Sequence, residues 1–324
     1  MTAAGLALAA AVVLPAGPAL AASDSHPEQP ALRIAAVDAG LSAEKAGGLQ
    51  GRLAGGMDAQ ARQLAEGIAR ADADIVVLTG MDADQDAVQV FSDEYLQDPG
   101  LSGREAGKYP YSYAAVGVKA RQSGADLNGD GIVGGAADAW GQAAFDEQSS
   151  IVVLSKLPIG TGEITAVSQL KWSQVPGNEL AASGLSGALA ASAPVMDTGL
   201  WDIPVQVGNE QVHLLATQTG AEQPAAYSFA AQREHDQLQV IDDYIAGADY
   251  LHDDAGQPLA GLAGQNYVTA GQLGDGGSEI EPAAQLRVLG QGRVPLKGGQ
   301  ELEDFSFDEP QRTPLVWTDV SVRG

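Results

Sequence analysis

Cysteine is absent from the 324 residues, which removes disulfides, zinc–thiolate sites and thiol nucleophiles from consideration. Basic residues are scarce: 17 Lys and Arg stand against 42 Asp and Glu, a formal net charge of -25. No cluster of Lys or Arg occurs along the chain, so nothing is set aside to neutralise nucleic-acid phosphates, and nucleic acid is not expected as a partner. The acidity favours solubility and cation binding, and adaptation to a salty habitat accounts for it without any function. Repeats and low-complexity linkers are also missing between 30 and 324. What is present is a 45% hydrophobic composition, enough for a large core and too mixed for a disordered tail or a membrane protein.

The first 22 residues are mostly alanine, leucine and valine, broken by Pro15, Gly17 and Pro18, and end Ala19-Leu20-Ala21-Ala22 before Ser23. This reads as a secretory signal peptide over 1–22, and export is expected. No Lys or Arg precedes the apolar run, so the true start is expected upstream of Met1. A membrane anchor fits less well, because prolines interrupt the run and the flank at Asp24 and Glu28 is acidic. A polar tether over 23–30 and one domain over 31–324 follow. The mature protein is expected to be a monomer with no membrane span.

Apolar runs bounded by turn signals mark strands at 32–37 (ending at Asp38), 75–78, 151–154, 212–215, 267–270 and 315–317. Their continuous apolar character suits strands covered on both faces. Helical spacing marks Met57 to Ala71, with Met57, Ala61, Leu64, Ala65 and Ile68 on one face, and Phe229 to Ala246, with Leu238, Ile241, Tyr244 and Ile245. Irregular alternation of strands and helices predicts an α/β fold (α+β) with two packed, mostly antiparallel sheets flanked by helices, a four-layer sandwich.

The order of Leu32-Arg33-Ile34-Ala35, Ala73-Asp74-Ile75-Val76-Val77-Leu78, Tyr109-Pro110-Tyr111, Ile151 through Ile159, Trp201 through Val205, Val212-His213-Leu214-Leu215, Arg233-Glu234-His235-Asp236 and Leu315 through Asp319 is informative. This succession resembles the endonuclease/exonuclease/phosphatase superfamily, most of all its exported bacterial members, over nearly all of 31–322. Leu154-Ser155-Lys156-Leu157-Pro158-Ile159 is its most specific piece. The resemblance implies a divalent cation held by carboxylate and amide oxygens, with a His–Asp pair handling water.

The positions that the resemblance assigns to this chemistry have changed. The Asn after the first strand becomes Asp38, and the metal-binding Glu after the second becomes Gly80. The catalytic His falls on Gln218. The Gly-Asp-x-Asn motif becomes Gly271-Gln272-Leu273-Gly274, so its Asp and Asn fall on Gln272 and Gly274. The final Asp-His pair falls on Arg312 and Thr313. Little charge remains to hold magnesium, which dehydrates reluctantly, so magnesium is not expected there. Losing general acid–base catalysis alone costs about 10²–10⁴-fold. A non-catalytic binding or structural module is expected. The alternative is a divalent-metal phosphoesterase with a rebuilt site, using Asp38 with Asp82, Asp84 and Asp86 or with Asp275, Glu279 and Glu281.

Blander readings accompany these residues. Asp82, Asp84 and Asp86 suit a solvated acidic turn opening a helix, and the Asp275, Glu279 and Glu281 set suits a surface loop. His213 suits the polar side of a strand, His26 and His252 lie in polar segments, and Arg233, His235 and Asp236 suit helix capping and orientation. One positive metal signal stands apart. Asp126-Leu127-Asn128-Gly129-Asp130-Gly131-Ile132 spaces oxygen donors at alternate positions with glycine sixth, as a calcium loop requires. Ala137 occupies the twelfth position and Asp138 comes one residue late. A structural calcium on Asp126, Asn128, Asp130, Ile132 (through its carbonyl) and Asp138 would order the long 119–148 loop. An Asx/Gly turn without an ion is the competing reading.

Overall fold

The computed structural model describes residues 31–97, 109–220, 229–274, 277–296 and 313–322. The expected signal peptide and tether, with His26, lie outside the described residues, as do Asp275 and Arg312.

Two β-α-β units organise the chain. In the first, β1 (Ala31–Leu41) leads through α1 (Gly48–Leu53) and α2 (Ala59–Ala71) into β2 (Ile75–Met81), which pairs parallel to β1. Asp58 starts α2 by accepting the Ala61 N–H at 2.9 Å, and Asp72 ends it in a left-handed conformation. Beyond β2, α3 (Gln85–Phe91) is capped by Asp84, which accepts from the Asp86 and Ala87 N–H groups. Then β3 (Tyr111–Ala115) and β4 (Ser150–Ser155) follow. After the short β5 (Thr165–Val167) and α4 (Gly187–Ser192), the second unit runs β6 (Leu200–Val207), β7 (Glu210–Gln218), α5 (Ala230–Ala246) and β8 (Asn266–Gln272). Here β7 and β8 form the parallel pair. The last strands are β9 (Ser278–Pro282), β10 (Arg287–Val294) and β11 (Leu315–Ser321).

The strands form a six-stranded sheet, β10-β11-β1-β2-β4-β3, and a five-stranded sheet, β5-β6-β7-β8-β9. Each is antiparallel apart from its one parallel pair. Alternation along β1 explains the packing: Ala35, Val37 and Ala39 face α1 to α3, while Leu32, Ile34 and Ala36 face the second sheet. A third apolar cluster lies between the second sheet and α5, with Leu215, Val240, Ile241 and Tyr244. Three cores between four layers make an α/β sandwich, as expected. Each fully buried Leu, Ile or Val contributes about 1.5–3 kcal/mol.

Several sequence expectations shift at their edges. β1 continues past Asp38 to Leu41, with a register break between Asp38 and Leu41. Met57 precedes the helix and is 74% exposed, and Leu238 also faces outward on α5. Among the described residues, no helix is long and apolar enough to cross a membrane.

Candidate functional site

Near the end of the parallel pair in each sheet stand residues that sequence analysis singled out. Asp38 lies opposite Thr79, one residue before Gly80, and Gln218 lies directly opposite Gln272. β1 packs against β8 and β9 across the sandwich. Gly277, just before β9, approaches Thr313, just before β11, so closely that a Cβ on Gly277 would lie 2.8 Å from Thr313 Cγ2. Asp38, Gly80, Gln218, Gln272, Gly274 and Thr313 therefore share one rim.

The chemistry of that rim is sparse. Asp38 is exposed, and one of its oxygens accepts the Gly40 N–H at 3.0 Å. Gly80 adopts φ 65°, a left-handed conformation that favours glycine, and a Cβ built on it would overlap Asp38 Oδ1. Gln218 is 8% exposed and its Oε1 is buried without a partner. Thr219 takes over the local bonding: its N–H donates to Gln272 O at 2.8 Å and its Oγ1 accepts the Gly274 N–H at 2.8 Å. A Cβ on Gly274 would meet Glu234 Oε1 at 2.7 Å. The divalent cation implied by the resemblance does not fit these residues. Its second ligand position has no side chain, and the Asp38 carboxylate occupies the space such a side chain would enter.

The acids of the alternative site are dispersed. Asp82 is a correction to the solvated-turn reading. It is 1% exposed, its Oδ1 accepts from Ser42 Oγ at 2.7 Å and the Ser149 N–H at 3.0 Å, and its Oδ2 accepts the Ala43 N–H at 2.9 Å. Asp84 caps α3, and Asp86 stands exposed in its first turn. Glu279 and Glu281 belong to β9, not to a loop, and line a groove of about 370 Å³ with Arg293 and Trp317. Burial, followed by Glu279 and Asp242, holds the Glu281 carboxyl above the usual carboxylate range. Among the described residues, no three His, Asp or Glu side chains are gathered so as to hold a metal.

In the Asp126 loop, Asp126 Oδ1 accepts the Gly129 N–H at 2.6 Å and its Oδ2 accepts the Gly131 N–H at 2.8 Å. Asn128 donates to Asp130 Oδ2 at 2.9 Å, and Asp130 Oδ1 accepts the Ile132 N–H at 2.7 Å. The Asp130 carboxyl is held below its ordinary value by Asn128 first and then by the Ile132 N–H. Asp138 is 1% exposed and accepts from the Leu127 and Gly134 N–H groups at 2.6 and 2.7 Å. The carboxylates thus hold the loop's own backbone.

The remaining residues do structural work that spacing did not reveal. His213 Nδ1 lies 2.8 Å from Asp202 Oδ1, and Tyr244 donates to Asp202 Oδ2 at 2.6 Å. The hydrogen bond to Asp202 raises the His213 imidazole above its ordinary value, against burial. Asp202 could have been noticed as an acid inside an apolar strand. Arg233 and Asp236 do not cap α5, whose first turn has no side-chain cap. Arg233 bonds the Val195 and Trp140 carbonyls, while buried Asp236 accepts the Trp172 indole N–H and the Glu179 N–H. His235, mostly exposed, adds its Nδ1 to Asp236 at 3.0 Å. Exposed His252 has its Nδ1 3.2 Å from Tyr250 O.

No family model and no curated protein matches the chain. Among solved structures it is similar to an endonuclease/exonuclease/phosphatase from Beutenbergia cavernae DSM 12333, at 13% identity and TM-score 0.46 over 91% of this chain and 72% of that one. It is also similar to sphingomyelinase C from Streptomyces griseocarneus, at 14% identity and TM-score 0.45 over 90% of this chain and 99% of that one. TDP2 from Caenorhabditis elegans aligns at 11% identity and TM-score 0.44 over 90% of this chain and 74% of that one.

Proposed function

We propose that this chain is an exported, non-catalytic relative of the endonuclease/exonuclease/phosphatase superfamily, a binding or structural module that keeps the sandwich without the metal centre. One observation carries the reading: the Asp38 carboxylate lies where a side chain at position 80 would have to begin. A side chain at position 80 could enter that space only if Asp38 turned aside. The amides of Gln218 and Gln272, paired across the parallel strands, supply neither the negative charge that holds a hard cation nor a group that titrates near neutrality.

The deciding measurement is hydrolysis of bis(p-nitrophenyl) phosphate with magnesium or manganese. No turnover above a chelated control is expected. Metal-dependent turnover that chelator abolishes would instead favour the rebuilt phosphoesterase. We also propose that the Asp126 loop takes calcium as a structural ion, its Asp126–Gly131 bond matching the sharp turn such loops make. Calcium should then raise Tm where magnesium does not, and Asp126→Ala should remove the response. Equal curves with calcium and chelator would leave the loop an Asx/Gly turn. Export is tested by N-terminal sequencing of the secreted protein, with cleavage expected near Ala21.

A further inference from the structure

A groove of about 370 Å³ lies between the outer strands of the two sheets. β9 is the last strand of the five-stranded sheet and β10 the last of the six-stranded one, so both faces of each strand can border it. Glu279 and Glu281 come from β9, and Gln291 and Arg293 from β10. Spaced two apart, each pair shares one face of its strand. All four residues are exposed. Ile280 and Trp317 add apolar surface. The indole is held in place: Arg33 Cζ lies 4.3 Å from its ring centroid, and a Cβ on Gly292 would lie 2.8 Å from its Cζ2.

The groove brings opposite charges to one space without joining them. Among the described residues, Glu279, Glu281 and Arg293 form no ion pair with one another or with any other group. The two glutamates also repel: burial, followed by Glu279 and Asp242, holds the Glu281 carboxyl above its ordinary value. A cation relieves that repulsion, and an anion satisfies Arg293. A metal ion alone would be opposed by Arg293, and a simple anion by the glutamates. A carboxylate accepts hydrogen bonds only, so its fitting cation carries N–H donors, while the guanidinium fork matches the two oxygens of a carboxylate. One ligand with both groups on a short apolar frame suits all three surfaces. The volume lies within the range of small-ligand sites, about 300–1,000 Å³.

We propose that this groove binds the zwitterion of an α-amino acid or short peptide, with its ammonium toward Glu279 and Glu281 and its carboxylate on Arg293. The proposal gives the binding module a ligand class. None of the rim residues lines the groove, so metal-dependent turnover would overturn the non-catalytic reading and leave this one standing.

The test follows thermal unfolding and tryptophan emission of the full chain at fixed ionic strength. The probes are L-leucine, L-leucyl-L-leucine, N-acetyl-L-leucine and L-leucinamide. Trp140, Trp172 and Trp201 are buried while Trp317 is partly exposed, so an emission change that Trp317→Phe removes reports on the groove. Leucine or its dipeptide should raise Tm saturably and change that emission. A response to leucine identifies a free amino acid as the ligand, and a response to the dipeptide alone identifies a peptide. The acetyl and amide analogues each lack one charge and should bind about tenfold more weakly or worse. Arg293→Gln should match the wild type without ligand, because Arg293 is exposed, and should lose the response. Arg293→Lys should keep part of it, as a point charge without the fork. The proposal is overturned by the absence of a saturable response to either zwitterion, by equal responses to the singly charged analogues, or by an undiminished response in Arg293→Gln.

Discussion

Asp38 and Asp82 stand near the ends of neighbouring parallel strands and do opposite things. Asp82 is sealed from water and accepts three hydrogen bonds, from Ser42, Ala43 and Ser149, tying the loop after β1 to the residue before β4. Asp38 is exposed, accepts one backbone bond two residues away, and lies in the space above Gly80. The first carboxylate is held by the fold; the second is only accommodated by it. A carboxylate at a strand end is thus no sign of a cation site until its partners are counted.

The largest effect should come from Asp82→Ala. Hydrogen bonds to a charged acceptor contribute about 1.5–3 kcal/mol, and stranded donors cost a comparable amount. With part of the loop relaxing toward water, a loss of about 3–4 kcal/mol in urea unfolding is expected. A loss under about 1 kcal/mol, the range of ordinary surface changes, would erase the distinction between the two acids.

Gly80→Ala should follow, at about 1–2 kcal/mol, since a left-handed residue with a Cβ costs about that much. The overlap with Asp38 adds to it, although Asp38 is an exposed side chain that can turn aside. In an Asp38→Ala background the same substitution should cost less. A double-mutant cycle isolates the coupling, and strict additivity would show that Asp38 does not occupy the position-80 space in solution.

The strand interiors were readable because continuous apolar runs such as Ile75 to Leu78 are buried on both faces whatever their neighbours are. The edge strands β9 and β10, which sequence analysis did not mark, carry exposed polar or glycine-rich positions with no such run. At the rim, sequence could name Asp38, Gly80, Gln218 and Gln272 through resemblance. It could not show that Asp38 fills the space above Gly80, because this depends on the register between β1 and β2. The roles of Asp82 and Arg233 were misread for a related reason: their partners (Ser149 and Trp140 among them) come from loops distant in sequence.

Asp202 is a third carboxylate, buried like Asp82 but bonded to a group that titrates. Its hydrogen bond raises the His213 imidazole above the ordinary value of about 6.5. The sign follows from proton linkage. The pair's stabilisation is fully present below the unfolded imidazole value and is lost as pH rises through the raised folded value. Tm of the wild type minus that of His213→Gln should therefore fall as pH rises from about 6 through neutrality. The imidazole is partly exposed, which keeps this difference modest. A difference that grows with pH would mean that His213 is neutral when folded.

The smallest effect is expected at Asp38→Ala. This carboxylate loses one local bond to the Gly40 N–H, an exposed group that water can satisfy, so stability should change by no more than about 0.5 kcal/mol. The chain carries a net charge of -25, and removing one exposed acid also slightly relieves its self-repulsion. The variant should therefore be neutral or marginally more stable, and any gain should shrink as salt screens the charges. A clear destabilisation, insensitive to salt, would mean that Asp38 is tied to something at the rim beyond Gly40, and the two acids would then belong to one class.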